Sequence, residues 1–165
     1  MAPSSRFLAR KMMATIDFDR ADCIVEFGSG TGVFTRQILQ QRRMDTTVIA
    51  IERNADFCAT LRKRFADEKN LYIIEGSAER VEEYLAERGF FWADYIVSGL
   101  PFASLPGEVS TAILTNARKH LHPDGRFVTF QYSLLRKNLI NRHFNSMEMK
   151  REWRNLPPAY VLSCW

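Results

Sequence analysis

Short apolar runs alternate with amphipathic segments along most of this chain of 165 residues. The apolar runs are nearly continuous, which is typical of strands that are buried on both faces of a parallel sheet. In the amphipathic segments, apolar residues recur every three or four positions, which predicts helices that pack against that sheet. The predicted strands are residues 22–27, 47–52, 71–75, 93–98 and 125–131, and the predicted helices are residues 4–16, 32–42, 54–66, 79–88 and 107–120.

The end of the chain breaks this alternation. Residues 147–153 and 159–164 both have the pattern of strands, and the segment between them contains two prolines and is too short for a helix. Two strands joined in this way predict an antiparallel hairpin. The sequence therefore predicts one α/β domain over residues 1–165, with a seven-stranded, mostly parallel sheet, helices on both faces and a terminal antiparallel hairpin. We also expect a turn at residues 122–125, where proline and glycine occur together, and no appended substrate domain.

A glycine-rich segment follows the first predicted strand, and Glu52 ends the second. Glycines let the backbone pass close to a ligand, and an acidic residue at the end of the next strand can accept hydrogen bonds from both ribose hydroxyls. In a dinucleotide site the helix N-terminus would meet a pyrophosphate, but here Glu26 lies two residues before the first glycine and would repel it. A carboxylate at this position suits a nucleoside that carries an ammonium group. The segment is Glu26-Phe27-Gly28-Ser29-Gly30-Thr31-Gly32.

S-adenosylmethionine has these properties, because it combines an α-amino group with a ribose and contains no phosphate. With these motifs the chain resembles the class I S-adenosylmethionine-dependent methyltransferases, which implies their Rossmann-like fold. The resemblance implies that Glu26 binds the amino group, that Glu52 binds the ribose, and that the adenine lies beside Ser77. The alternative interpretation is a plain strand-to-helix turn with incidental acidic residues. The predicted cofactor-binding residues are Glu26, Gly28, Ser29, Gly30, Thr31, Gly32, Glu52, Arg53, Ser77, Ala78 and Ser98.

The segment after the fourth strand, Ser98-Gly99-Leu100-Pro101-Phe102, would lie beside the transferred methyl group. In base-modifying amine methyltransferases this position holds Asn or Asp, which accepts a hydrogen bond from a planar amine. Ser98 and Gly99 offer no such group and leave room for a tetrahedral aliphatic amine, unless the segment is only a strand-ending turn. Phe102 and Tyr132 would then pack against a cationic methylated nitrogen. The predicted catalytic residues are Ser98, Gly99, Leu100, Phe102 and Tyr132.

Four motifs together resemble the bacterial phospholipid N-methyltransferases, which methylate phosphatidylethanolamine stepwise towards phosphatidylcholine. The resemblance implies an ethanolamine head group as the methyl acceptor, direct in-line transfer, and a cytoplasmic location at the inner face of the membrane. Arg6 and Tyr132 are the candidates for contacting the lipid phosphate, with a plain helix-surface charge as the alternative for Arg6. Anionic lipid is a candidate partner, and we expect a monomer or a weak dimer. The motifs are residues 3–10, 26–32, 98–102 and 155–159.

By this resemblance the chain divides into an N-terminal amphipathic helix at residues 1–20, a cofactor-binding core at 21–131, and a substrate-side helix with the terminal hairpin at 132–165. Members of the family often carry a further N-terminal amphipathic helix for membrane docking. Here either the helix at 4–16 has that role or the protein binds membranes poorly. The sequence contains no evident base for the proton of the amine: Ser98, a backbone carbonyl and water are the candidates.

Charge and composition narrow the choice of partner. The net charge of +4 and the pI near 9.1 favour an anionic partner, and basic residues concentrate in the last third of the chain. No apolar run approaches the length of a membrane span, and the cysteines and histidines form no metal-ligand pattern. Two alternatives stay open. The first is an RNA adenine N6-dimethyltransferase, which would be expected to have Asn at position 98 and a further RNA-binding domain. The second is a non-catalytic cofactor- or lipid-binding module, which would need no acceptor site.

Overall fold

The computed structural model describes residues 5–165 and consists of one sheet with helices on both of its faces. Pro3 and Ser4, which belong to the first motif and the first predicted helix, lie outside the described residues. The helices are α1 (Arg6–Met13), α2 (Val33–Gln41), α3 (Ala55–Arg64), α4 (Val81–Ala86), α5 (Gly107–Lys119) and α6 (Lys137–Asn141), and a short 3-10 helix, Ala78–Arg80, precedes α4. The strands are β1 (Cys23–Phe27), β2 (Thr47–Glu52), β3 (Leu71–Glu75), β4 (Ala93–Ser98), β5 (Leu121–Gln131), β6 (Met147–Glu152) and β7 (Ala159–Cys164).

The seven strands lie in the order β3-β2-β1-β4-β5-β7-β6. Strands β1 to β5 pair in parallel, whereas β7 pairs antiparallel with both β5 and β6. The predicted sheet and its terminal hairpin are therefore confirmed. From β1 the chain winds outward to β2 and β3 and then returns to β4 on the other side of β1. In such a sheet the ligand crevice lies outside the carboxyl ends of β1 and β4, where the strand order reverses.

Helix α1 covers one face of the sheet together with α2. Its apolar side chains are buried, with Leu8 and Met12 both 0% exposed, and they belong to the same apolar cluster as Val128 of β5. The Ser5 hydroxyl caps the helix by accepting a hydrogen bond from the Leu8 amide at 3.2 Å, and the helix is shorter than the predicted 4–16. Because its apolar stripe packs on the sheet of its own domain, α1 has little apolar surface left for a membrane.

The predicted turn at residues 122–125 is wrong, because these residues lie inside β5. The strand continues through them with an irregularity: Leu121 pairs with Ala93, but the next paired residue, Arg126, lies opposite Tyr95. At Gly125 a Cβ atom would stand 2.4 Å from the Asp94 carbonyl oxygen, so the close approach of the two strands requires glycine. The Pro-Asp-Gly sequence therefore forms a bulge within β5 rather than a turn, because β5 pairs with β4 on both sides of it.

Candidate cofactor and acceptor site

The glycine-rich segment forms a tight loop over the carboxyl ends of β1 and β2. Gly28, Gly30 and Gly32 have φ values of 71°, 52° and 88°, which side chains rarely adopt. The Gly28 amide donates to the Ile51 carbonyl at 2.8 Å, which joins the start of the loop to β2. A Cβ atom at Gly28 would lie 2.8 Å from Leu100 Cδ2. Gly28 and Gly32 thus let the backbone lie directly against its neighbours, whereas at Gly30 only the positive φ favours glycine.

The Glu52 carboxylate orders this loop. Its Oε1 accepts a hydrogen bond from the Gly30 amide at 2.9 Å, and its Oε2 accepts one from the Asn54 amide at 2.8 Å. Each carboxylate oxygen has a second lone pair. Glu52 can therefore hold the loop and still accept hydrogen bonds from a pair of ribose hydroxyls.

Glu26 is a fully buried carboxylate with one unsatisfied oxygen. Its Oε1 accepts a hydrogen bond of 2.5 Å from the Thr35 hydroxyl on α2, whereas Oε2 has no hydrogen-bond partner among residues 5–165. Burial raises the pKa of Glu26 to about 7, although the Thr35 hydrogen bond acts in the opposite direction. The Ser29 hydroxyl is buried close to this carboxylate and also acts to lower the pKa of Glu26, but the two groups do not reach hydrogen-bond geometry. Buried polar atoms normally have partners, so this pair fits a ligand that supplies an ammonium group.

Thr35 is a site residue that the sequence analysis missed. It is 0% exposed although it lies on a helix, at a position where the amphipathic pattern predicts an apolar residue. A threonine in a predicted buried row is a weak signal by itself. Only its contact with Glu26 gives it a function.

The other predicted cofactor-binding residues, including Ser77 and Ala78 for the adenine, lie at the ends of β2 and β3. The Ser77 hydroxyl accepts a hydrogen bond from the Glu79 amide at 3.2 Å and caps the short 3-10 helix. Ala78 is buried, and the Arg53 side chain after β2 is exposed. The Gly76 amide donates to the Glu52 carbonyl at 3.0 Å, which keeps the loops after β2 and β3 side by side.

A cavity of about 140 Å³ opens at the carboxyl ends of β4 and β5. Its wall touches the glycine-rich loop: the Gly99 amide donates to the Phe27 carbonyl at 2.8 Å, and a Cβ atom at Gly99 would lie 2.9 Å from the Gly28 carbonyl oxygen. The cavity is therefore next to the glycine-rich loop. Its lining residues are Gly99, Leu100, Pro101, Ala103, Ser104, Phe130, Gln131, Tyr132 and Ser133.

Gln131 is the second residue that the sequence analysis missed. The two hydrogens of its Nε2 are shared among three acceptors: the carbonyl oxygens of Leu100, at 3.2 Å, and Phe130, at 2.6 Å, and the Thr129 hydroxyl, at 3.2 Å. These acceptors fix the orientation of the amide, and its Oε1 accepts no hydrogen bond from residues 5–165. A polar residue at the carboxyl end of an apolar strand was the available signal.

The structure separates the predicted catalytic residues into two groups. Gly99, Leu100 and Tyr132 line the cavity, and the Tyr132 hydroxyl is buried without a partner among the described residues. The Ser98 side chain is fully buried, and its hydroxyl accepts a hydrogen bond from the Leu100 amide at 3.2 Å. Ser98 therefore shapes the segment rather than lining the cavity.

The prediction that Phe102 faces the acceptor is corrected by the structure. Its ring is 0% exposed, lies 6.4 Å from the ring of Phe127 and does not line the cavity. The chain turns after Pro101, whose carbonyl accepts from the Ser104 amide at 2.9 Å, and this turn directs Phe102 into the core. Burying an aromatic ring in the core is favourable, so the ring packs there rather than in the acceptor cavity. Arg6 is exposed beside Phe7 and does not line the cavity either.

Comparison with known proteins identifies the chain. The family described as "Methyltransferase domain" matches residues 24–125. The ornithine lipid N-methyltransferase of Singulisphaera acidiphila is 35% identical over 99% of this chain and 86% of its own length. The ribosomal RNA small subunit methyltransferase A of a Synechococcus strain is 30% identical over 72% of this chain, but only over 37% of its own length. Among solved structures, the precorrin-6y C5,15-methyltransferase of Geobacter metallireducens has a TM-score of 0.75 at 13% identity, covering 96% of this chain and 86% of its own.

The fold, the glycine-rich loop and the two acidic residues together define a class I methyltransferase that uses S-adenosylmethionine. Within that class, the similarity over nearly the whole length of both chains shows that this chain belongs to the family of the bacterial lipid N-methyltransferases. The unsatisfied oxygen of Glu26 and the glycine-rich loop fit the cofactor of this class.

Proposed function

We propose that this protein transfers methyl groups from S-adenosylmethionine to the primary aliphatic amine of a membrane-lipid head group. The observation that carries the proposal is the makeup of the acceptor cavity, whose lining in the described part of the chain combines Gln131 with apolar side chains and contains no Asn or Asp that could hold a planar amine. The family relationship to a lipid N-methyltransferase supports the same class of acceptor.

Residues of the glycine-rich crevice would hold the cofactor. Glu26 would bind its ammonium group, Glu52 its ribose hydroxyls, and the loop at Ser77 its adenine ring. When bound, S-adenosylmethionine supplies an electrophilic methyl group on a sulfonium. The protein's own contribution is to bring the acceptor nitrogen in line with that group, and such positioning accounts for a large part of the barrier reduction in reactions of this type.

Gln131 would orient the acceptor amine. An amide oxygen accepts a hydrogen bond from an ammonium or an amine and leaves the nitrogen lone pair of the neutral amine free to attack. The Tyr132 hydroxyl, buried beside the same cavity, is the second polar group within reach of a head group. No carboxylate or histidine lines this cavity in the described part of the chain, so we propose that the amine loses its proton to solvent before transfer.

The Gln131→Met variant tests this role. Hydrogen bonds to charged groups are worth about 1.5–3 kcal/mol, so we expect kcat/KM for the lipid amine to fall roughly 10- to 100-fold. The Kd for S-adenosylmethionine should stay within about twofold of the wild-type value, because Gln131 does not line the glycine-rich crevice. Ser133→Ala, in the same cavity wall, is the matched control. Unchanged kcat/KM in Gln131→Met would remove Gln131 from the acceptor site.

The identity of the lipid can be decided by label transfer. Methyl-labelled S-adenosylmethionine is offered with vesicles that contain either ornithine lipid or phosphatidylethanolamine, and in a third tube with unmodified ribosomal RNA. We expect label in ornithine lipid, because the relative that matches nearly the full chain acts on that lipid by its name. Phosphatidylethanolamine, which the motif at residues 98–102 favours, is the second candidate. Label in the RNA alone would overturn the proposal in favour of the RNA-methylating relatives.

To methylate the head group of a membrane lipid, the protein must bring its acceptor cavity to the bilayer surface. None of the helices between residues 5 and 165 is long and apolar enough to cross a bilayer. We therefore propose a peripheral association with the membrane surface, as the sequence resemblance implied.

A further inference from the structure

Four large apolar side chains are exposed near the acceptor cavity. Leu134 and Leu135 follow β5 directly after the cavity residues Tyr132 and Ser133 and are 39% and 82% exposed. The turn between β6 and β7 carries the other two, Trp153 at 65% and Leu156 at 80%. We refer to Leu134, Leu135, Trp153 and Leu156 as the docking surface. Exposed leucines at these fractions are individually common, so what matters is where they lie.

The pairing of the strands brings both segments to the same edge of the sheet. Strand β5 ends at Gln131, whose partner on β7 is Tyr160. Strand β7 runs antiparallel to β5, so the turn at residues 153–158 lies just beyond the carboxyl end of β5. The acceptor cavity opens at that same end. The docking surface is therefore located at the catalytic edge, although its two halves are some twenty residues apart in sequence.

The surroundings of the docking surface are basic. Residues 132–146 and 153–165 contain no aspartate or glutamate. Arg136 and Lys137 follow the two leucines, and in the described part of the chain neither has an ion-pair partner. The Arg151 guanidinium lies 3.6 Å from the centre of the Trp153 ring. Such a surface suits an anionic membrane. Its exposed apolar side chains can enter the boundary between head groups and acyl chains, and its unpaired cations can contact the anionic head groups.

The turn of the docking surface is held firmly at its base. The buried Asn155 accepts a hydrogen bond from the Ser5 amide at 3.0 Å and donates one to the Pro157 carbonyl at 2.8 Å. Glu152 forms ion pairs with Lys11 at 3.3 Å and with Arg154 at 2.9 Å, and these cations keep its pKa low, at about 2. The turn that carries Trp153 and Leu156 is therefore fixed by buried polar contacts, and the exposure of these two side chains is not due to a poorly ordered loop.

We propose that the docking surface inserts into the head-group region of a bilayer that contains anionic lipid, and that this orients the acceptor cavity towards the membrane. The proposal rests on the proposed function only where it connects membrane binding with methyl transfer, because binding to a bilayer can be measured without methyl transfer. A bilayer that contains anionic lipid is favoured over a protein partner because the two segments that carry the exposed apolar side chains contain cations and no acidic residue. Helix α1 is a weaker candidate, because its apolar stripe is buried on the sheet.

Vesicle sedimentation tests the proposal. The vesicles contain phosphatidylcholine with phosphatidylglycerol, and neither lipid has a primary amine. We expect the wild-type protein to sediment with them, and the double variant Leu135→Asp/Leu156→Asp to bind about tenfold less or weaker still, because charged residues are costly in the apolar layer. Met44→Asp is the matched control, since Met44 is 65% exposed but precedes β2 and so lies at the opposite edge.

A second pair of variants tests the cations. Each cation near an anionic surface contributes about 1 kcal/mol, or roughly fivefold in binding. Arg136→Ala/Lys137→Ala should therefore bind about 20-fold less, and raised salt should remove most of the difference. Lys63→Ala/Lys69→Ala, which removes two exposed cations from α3 and the loop before β3, should bind as the wild type does. Equal losses in the variants and their controls, or no loss in Leu135→Asp/Leu156→Asp, would overturn the proposal.

Activity on lipid dispersed in detergent separates the docking proposal from the proposed function. If the docking proposal is correct, Leu135→Asp/Leu156→Asp keeps its rate on detergent-dispersed amine lipid and loses it on vesicles. A protein that binds the anionic vesicles but methylates no lipid amine would contradict the proposed function and leave the docking surface standing. A protein that methylates dispersed lipid without binding the vesicles would contradict the docking proposal alone.

Discussion

Replacing Glu26 by glutamine is expected to weaken the binding of S-adenosylmethionine by roughly 100-fold, since breaking a buried charge pair costs about 3–5 kcal/mol and part of this is recovered by the neutral amide. The glutamine keeps the size of the side chain and can still accept the hydrogen bond of Thr35. What it removes is the negative charge opposite the ammonium group. Isothermal titration of the two proteins with S-adenosylmethionine measures the difference, and Glu75→Gln, at the exposed end of β3, is the control.

The pH dependence of binding gives an independent check on Glu26. Burial raises its pKa to about 7 in the ligand-free protein, so the side chain is mostly protonated below that pH. Pairing with an ammonium group requires the charged carboxylate, and its proton must then be released. We therefore expect the affinity of the wild-type protein to rise between pH 6 and about pH 7.5 and then to level off, whereas Glu26→Gln should show no such rise. A flat profile in the wild-type protein would contradict this role.

The same carboxylate should lower the stability of the ligand-free protein at high pH. Since the pKa of Glu26 is raised from 4.5 to about 7 in the folded state, the folded protein binds a proton that the unfolded chain releases between these values. Stability is therefore lost as the pH rises through this window, by up to about 3 kcal/mol. In denaturant unfolding at pH 8, Glu26→Gln should be more stable than the wild type without cofactor, and the difference should disappear near pH 4.

Replacing Gly99 by alanine is expected to reduce kcat/KM for the acceptor by roughly 10-fold, because a misplacement of about 1 Å near the reacting groups costs about 100-fold and the shift required here is smaller. A Cβ atom at this position would stand 2.9 Å from the Gly28 carbonyl oxygen. That oxygen belongs to the backbone of the glycine-rich loop, so it cannot turn away as a flexible side chain would. The substitution must therefore push the acceptor segment and the cofactor loop apart.

Steady-state kinetics and thermal unfolding together test the Gly99 prediction. We expect the fall in kcat/KM to come with a loss of stability of about 1–3 kcal/mol, which is typical of overpacking. Gly107→Ala is the control, because a Cβ atom there meets nothing within 4 Å and the residue begins α5. If Gly99→Ala keeps wild-type kinetics, the two loops are able to separate without disturbing the acceptor cavity.

Much of the fold and of the cofactor crevice follows from the sequence alone. Apolar periodicity is a local property, so it identified the strands that form the sheet and the terminal hairpin. The glycines after β1, with Glu26 before them and Glu52 at the end of β2, occur in one contiguous strand-loop-helix-strand unit. The geometry of that unit hardly varies between proteins, and therefore the cofactor class could be predicted before any contact was known.

The acceptor side depended on tertiary structure. Phe102 lies in a motif that suggests an exposed aromatic, but a turn after Pro101 directs its ring into the core. Gln131 becomes important because the carbonyl of Leu100, from a distant strand end, accepts a hydrogen bond from its Nε2. In the same way, Thr35 could not be recognised without the 2.5 Å hydrogen bond to Glu26.

The sequence by itself determined the strands of the sheet, the cofactor class and the two carboxylates proposed to bind the cofactor, since each of these depends on residues close together in the chain. Only the tertiary structure decided which polar atoms are left without partners and which apolar side chains stay exposed at the catalytic edge. Both properties depend on strand register, which brings Gln131 opposite Tyr160 and so sets Leu135 and Leu156 beyond the same end of the sheet. Register is set by the packing of the whole domain and leaves little trace in any single segment.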